Sequence, residues 1–175
     1  MATSTIVPLE VYLRTTYRPD MEYVDGVLVE RNVGERWHSR LETLLASLLE
    51  ARETRGGFHV YTEQRIRVAL PARYRIPDVC VMARPYVAEP VFTQPPHLVI
   101  EIASPDDRAA DLLEKVDEYL SFGVAHIWIP DPYARRLQEA SRDGLRDCPD
   151  LLVKTDLVGQ VDFGELFRRL DEPSD

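Results

Sequence analysis

The chain has 175 residues, 45% hydrophobic and 29% charged, with a formal net charge of −9. This is the make-up of an ordinary globular protein, long enough for one domain with a real core and too short for two, so a single domain over residues 1–175 is expected. The acidic balance argues against a general nucleic-acid binder, because Lys and Arg on phosphates supply nearly all non-specific affinity; the lack of any apolar run near the roughly 18 residues of a bilayer span, and of a signal-peptide layout at the start, points to a cytoplasmic protein with no membrane partner.

In chain order, Pro8 to Leu13 reads as a short helix. Met21 to Val24 and Val27 to Glu30 flank Asp25-Gly26, the pattern of a β-hairpin. Glu35 to Thr54 is helical, with Leu41, Leu44, Leu45, Leu48 and Leu49 at three- and four-residue steps, and Gly56-Gly57 stops it. Phe58 to Val68 reads as one long strand, followed by a turn at Leu70-Pro71-Ala72 and a strand from Val79 to Met82, which Pro77 prepares by holding Ile76 extended. Arg84 to Pro96, with four prolines, is a loop leading to a strand from Leu98 to Ile102. Ser104-Pro105-Asp106-Asp107 offers cap-type residues before a helix that runs to about Phe122 and ends at Gly123. On a helical projection its buried side is Ala109, Leu112, Leu113, Val116 and Leu120. Ile127 to Ile129 is a short strand, Asp131-Pro132 turns into Arg135 to Ala140, and the tail from Val161 to Phe167 closes in a short helix. Cys80 alternates within a strand and Cys148 falls in a polar loop; without metal-type spacing they read as unrelated reduced thiols.

Asp78 and Glu101 interrupt these apolar strands. An ionised carboxylate is rarely buried without a cation or hydrogen-bond partners, since losing its hydration costs several kcal/mol or more. Two on neighbouring strands make an oxygen-rich cage suited to a hard divalent ion such as magnesium. Lys115 lies four residues after Asp111, which allows a plain surface pair worth ~0.2–0.5 kcal/mol, yet lysine occurs only at 115 and 154 in a chain that otherwise uses arginine. Arg65, Arg67, Arg73 and Arg75 form a cationic stretch, read as the solvated outer face of a hairpin in preference to a phosphate track.

The order of helix, three strands, helix and strand matches the core of the PD-(D/E)XK nuclease superfamily. From Tyr74 to Asp131 the chain resembles the Uma-two family within it, through Pro77-Asp78, Glu101-Ile102-Ala103-Ser104-Pro105, Lys115 with Tyr119, Gly123-Val124 and Trp128-Ile129-Pro130-Asp131-Pro132. The resemblance implies an α/β fold: a restriction-endonuclease-like core with a central mixed β-sheet flanked by helices and an N-terminal β-hairpin. It further implies that Asp78 and Glu101 ligate magnesium or manganese and that Lys115 is the basic catalytic residue. The superfamily's usual lysine, two residues after the second acid, is here Ala103. His38, Glu42 and Tyr119 are candidate supporting residues, with Glu35 fitting almost as well as Glu42. The implied activity is metal-dependent phosphodiester hydrolysis with DNA as the expected nucleic acid, and cutting both strands with one site per chain calls for a homodimer. Two alternatives stand beside this: a non-catalytic interaction protein retaining the nuclease fold, favoured by the acidic balance and Ala103, and a structural oligomer joined through exposed Trp37 and Tyr133 regions.

Overall fold

A computed structural model describes residues 6–31, 35–105 and 108–172. A helix α1 (Leu9–Arg14) precedes the hairpin β1 (Met21–Val24) and β2 (Val27–Glu30), whose turn places Asp25 and Gly26 at positive φ. The long helix α2 (Arg36–Gly56) ends on Gly57 in the left-handed region, as the paired glycines predict. Strands β3 (Phe58–Thr62), β4 (Ile66–Ala69), β5 (Arg73–Arg75), β6 (Val79–Ala83) and β7 (Leu98–Ile100) follow, then helix α3 (Ala109–Phe122) and strand β8 (His126–Asp131). The remainder is β9 (Arg136–Ser141), β10 (Gly144–Asp147), the hairpin β11 (Leu152–Thr155) and β12 (Gly159–Asp162), and helix α4 (Phe163–Leu170). The Asp106-Asp107 part of the expected helix cap lies outside the described residues, as does Met1 to Thr5 of the start; α3 opens after Arg108, which makes no side-chain cap bond.

Six strands form a central mixed sheet in the order β10-β9-β8-β7-β6-β3, with β7 and β8 parallel and the other pairs antiparallel. Alternation along the strands feeds two cores. Val79, Val81, Leu98, Ile100 and Trp128 pack with Leu41, Leu45 and Leu49 of α2 and with Phe163 and Phe167 of α4. Cys80, Met82, Val99, Ile127 and Ile129 pack on the other face with Val116 and Tyr119 of α3 and Ile66 of β4. A second, antiparallel sheet runs β2-β1-β5-β4, and α1 is fastened to it by Tyr12, whose ring stacks on Tyr23 and meets Tyr74 at a tilt. This is the mixed sheet flanked by helices, with its N-terminal hairpin, that the sequence predicts.

Several expectations change. The predicted strand from Phe58 to Val68 is two strands in different sheets. At Glu63, with φ 50°, the chain leaves the pairing with β6 and enters the pairing with β5. The buried side of α3 is rotated: Val116 and Tyr119 are buried and Leu112 is partly so, while Ala109 and Leu113 are exposed. Cys148 lies in the loop between β10 and β11, as expected, but its side chain is buried in the core, and both cysteines are free thiols. Trp37 and Tyr133 are half-buried rather than exposed; their rings meet edge to face at 5.5 Å and Arg135 lies over Trp37. No helix among the described residues is long and apolar enough to cross a membrane.

Candidate active site

The two sheets are joined where β5 runs through Ile76-Pro77-Asp78 into β6, so Asp78 sits on the seam between them. The antiparallel register Val79 with Ile100 brings Glu101, the residue leaving β7, beside it. On the second sheet, Tyr23 pairs with Tyr74, which sets Glu22 next to Arg75 at the same seam. Helix α3 crosses over this point and supplies Lys115 and Tyr119. The result is a cleft of about 350 Å³ lined by Glu22, Arg31, His38, Asp78, Glu101 and Lys115, among others.

Asp78 is 4% exposed. Its Oδ1 accepts from Arg31 Nη2 at 2.5 Å, and its Oδ2 accepts the Ile102 backbone N–H at 2.7 Å and lies 3.3 Å from His38 Nε2. Burial opposes its charge, but the His38 hydrogen bond and charge, Arg31 and the Ile102 N–H outweigh burial and hold the carboxyl below its ordinary range. For His38 burial again disfavours the charged form, and the bond to Asp78 overcomes it, raising the imidazole above its usual value.

Glu101 accepts from Tyr119 Oη at 2.7 Å and has Lys115 Nζ at 3.8 Å. Burial pushes its carboxyl up to about 7; Lys115 and the Tyr119 hydroxyl oppose the rise, while the charges of Asp78 and Glu22 add to it. Glu42 on α2 is likewise pushed up to about 7, by burial and then by the charges of Asp78 and Glu63. Glu35, the other first-helix acid, is exposed and accepts from Tyr133 Oη at 3.3 Å. Lys115 is not the partner of Asp111. Its ammonium lies 3.1 Å from Glu22 Oε1, and against the effect of burial the charges of Glu101 and Glu22 raise its pKa. The lysine stem runs along the inner side of α3 because those two carboxylates lie beyond it.

Two residues of the cleft escaped sequence reasoning. Glu22 is 1% exposed; besides Lys115 it takes Arg75 Nη1 at 2.9 Å and the Ile76 N–H at 3.1 Å. The signal was available, since Glu22 interrupts the strand Met21 to Val24 as Asp78 interrupts its own. Arg31 follows the hairpin and bridges Asp78 to Glu63, at 3.2 Å from the latter; its role rests on contacts 32 and 47 residues away in sequence, which no local pattern encodes. The expected outer-face arginines are also corrected. Arg75 is buried against Glu22 and Glu118, Arg73 binds Asp25, Glu114 and Glu118, and Arg65 lies over the Tyr12 ring at 4.3 Å. Carboxylates on adjoining elements consume Arg73 and Arg75, so these two form no track for phosphate.

The donor set suits a hard divalent cation: three buried carboxylates, Glu22, Asp78 and Glu101, open on one cleft. Arg31 and Lys115 stand against those oxygens as internal counter-charges. Such pairing is what buried carboxylates require while no other cation is bound.

The family model described as "Uma2: Putative restriction endonuclease" matches residues 9–153. A crystal structure described as "a putative nuclease belonging to DUF820 from Anabaena variabilis" is similar over 94% of this chain and 99% of that one, with a TM-score of 0.78 and 20% identity. A cryo-electron-microscopy structure of a DrdV–DNA complex is similar over 81% of this chain but 12% of that one, with a TM-score of 0.43 and 18% identity. No curated protein matches the chain.

Proposed function

The chain belongs to the Uma2 restriction endonuclease family, and from that premise we propose that it is a divalent-metal-dependent endonuclease hydrolysing phosphodiester bonds of DNA at the Asp78–Glu101–Lys115 cleft. The observation that carries the reading is the convergence of three buried carboxylates and one lysine at the seam of two sheets. Asp78 and Glu101 would hold magnesium or manganese, with Glu22 behind Lys115. A bound cation supplies Lewis-acid activation of water and neutralises charge on the phosphate.

The chain's own groups do the rest. His38, the Ile102 N–H and Arg31 keep Asp78 ionised near neutral pH. Lys115, held between Glu22 and Glu101, presents its ammonium to the charge that develops on the phosphate and orients the attacking water. Arg31 exchanges its grip on Asp78 for the substrate phosphate, where a guanidinium fork matches two oxygens. Tyr119 fixes the rotamer of Glu101, and Glu42 adds negative charge that helps keep the His38 imidazole protonated beside Asp78. We also propose that residues 1–175 form a single domain, that two copies pair so that both strands are cut, and that the protein works in the cytoplasm.

One observation favours a second reading, a non-catalytic protein retaining the nuclease fold: Arg31 and Lys115 already neutralise the acids, so the network is complete as an internal salt-bridge cluster. The two readings separate in one experiment. Calorimetric titration of Mn²⁺ into the wild-type chain should give binding that Asp78→Asn removes, accompanied by DNA cleavage; the absence of both assigns the cluster to structure alone.

A further inference from the structure

The parallel pair β7–β8 carries a second cluster at the end opposite Glu101. His97 directly precedes β7, His126 opens β8, and Asp156 lies in the turn between β11 and β12. The register Leu98 with His126, and the His126 N–H donated to the His97 carbonyl at 3.1 Å, hold the two imidazoles side by side, 4.9 Å between ring centroids. Thr155 Oγ1 accepts the N–H groups of Leu157 and Val158 at 3.2 and 3.0 Å, fixing the turn that carries Asp156. One Asp156 carboxylate oxygen is 3.6 Å from His97 Nε2, too far for a hydrogen bond. That nitrogen is sealed from solvent and has no hydrogen-bond partner. The three ligand atoms all lie within 4.8 Å of one another.

We infer that His97, His126 and Asp156 form a second metal site, for a borderline transition ion of the Zn²⁺ class, which clips the β11–β12 hairpin to the N-terminal ends of β7 and β8. Two imidazole nitrogens and one carboxylate oxygen are a zinc-type donor set, leaving a fourth position for water. A tetrahedral ion with bonds of about 2.0–2.1 Å separates its ligands by roughly 3.3 Å. The His97–Asp156 pair at 3.6 Å is therefore nearly in place, and the Asp156 side chain, 88% exposed, has room to swing the remaining distance. An orphaned imidazole nitrogen buried beside a second imidazole and a carboxylate gains a partner when the ion binds. Magnesium, which takes oxygen ligands in an octahedron, does not fit here. His97 and Glu101 are four positions apart along one strand, roughly 13 Å, so the two sites are separate.

The test uses tag-free full-length protein carrying Asp78→Asn and Glu101→Gln, which silences the acidic cleft. Isothermal titration should show one Zn²⁺ bound per chain at least a hundredfold more tightly than Mg²⁺, and Co²⁺ should give the visible absorption of a tetrahedral site. Adding His126→Gln, at a half-buried position, or Asp156→Asn, at an exposed one, should weaken Zn²⁺ binding tenfold or more while leaving the circular dichroism spectrum unchanged. No binding at roughly 100 μM Zn²⁺, or unchanged affinity in both variants, overturns the inference. Because the readout is binding in a chain with the nuclease site removed, the result stands whether or not the wild-type protein cuts DNA.

Discussion

Replacing Glu101 by glutamine should stabilise the metal-free protein and remove its gain from a divalent cation. The buried carboxyl titrates at about 7 in the fold, against an ordinary value of 4.5. Between these values the folded chain holds a proton that the unfolded chain has released, so stability falls as pH rises from about 4.5 to about 7, and the whole penalty is present above that. At about 1.4 kcal/mol for each pH unit between the two values, the penalty is bounded at roughly 3.5 kcal/mol. Glutamine has nearly the same shape, keeps an oxygen for the Tyr119 hydroxyl and carries no charge at any pH. Urea denaturation in EDTA at pH 8 should therefore find Glu101→Gln more stable than wild type by up to this amount, with the difference vanishing near pH 4.5. At a hundredfold excess of Mn²⁺ over its Kd the wild-type chain should gain about 2.7 kcal/mol and the variant essentially none. A variant less stable than wild type in EDTA at pH 8, or one that gains as much from Mn²⁺, would refute the reasoning.

Lys115→Ala should slow DNA cleavage by roughly a hundredfold or more, the scale of a lost electrostatic stabiliser. Because the ammonium is paired with two buried acids rather than with Asp111, the same change should lower stability by about 3 kcal/mol; a denaturation curve superimposable on wild type would return Lys115 to the surface. Arg31→Gln should tighten Mn²⁺ binding by removing the guanidinium that competes for Asp78, yet reduce cleavage; equal metal affinity in calorimetry counts against that exchange. Metal affinity should climb as pH rises through about 7, because Glu101 must lose its proton to act as a ligand, and a flat profile between about pH 5.5 and 8.5 in the same titration contradicts the assignment of Glu101. Sedimentation equilibrium should find a dimer at micromolar concentration, and a monomer throughout counts against paired cutting.

Much of this was legible in the residues because it is local. The leucine spacing of α2, its Gly56-Gly57 stop, Asp25-Gly26 between two alternating runs and the apolar runs of β6, β7 and β8 each encode an element within a few residues. Asp78 and Glu101 stood out as charges where strands bury everything else. What stayed hidden depends on pairing between distant segments. The break at Glu63 needs a positive φ at a residue that carries no mark of it. The second sheet exists because β1 and β4 both pair with β5. A projection of α3 weighs apolar residues alone, so it placed Lys115 off the buried side; the carboxylates of Glu22 and Glu101 that draw it inward are 93 and 14 positions away. The arginines around Asp78 look solvent-facing until their acidic partners on β1 and α3 are in position.

The central claim is that the acidic cleft hydrolyses DNA with the help of a divalent cation, and a plasmid assay tests it most directly. Purified wild-type protein and Asp78→Asn, each shown to be folded by circular dichroism, would be incubated with supercoiled plasmid in Mg²⁺, Mn²⁺ or EDTA. Wild type should convert supercoiled DNA to nicked and linear forms with either metal and leave it untouched in EDTA, while Asp78→Asn leaves it intact throughout. Cleavage that persists in Asp78→Asn, or wild-type protein that cuts nothing with either metal, would contradict the account.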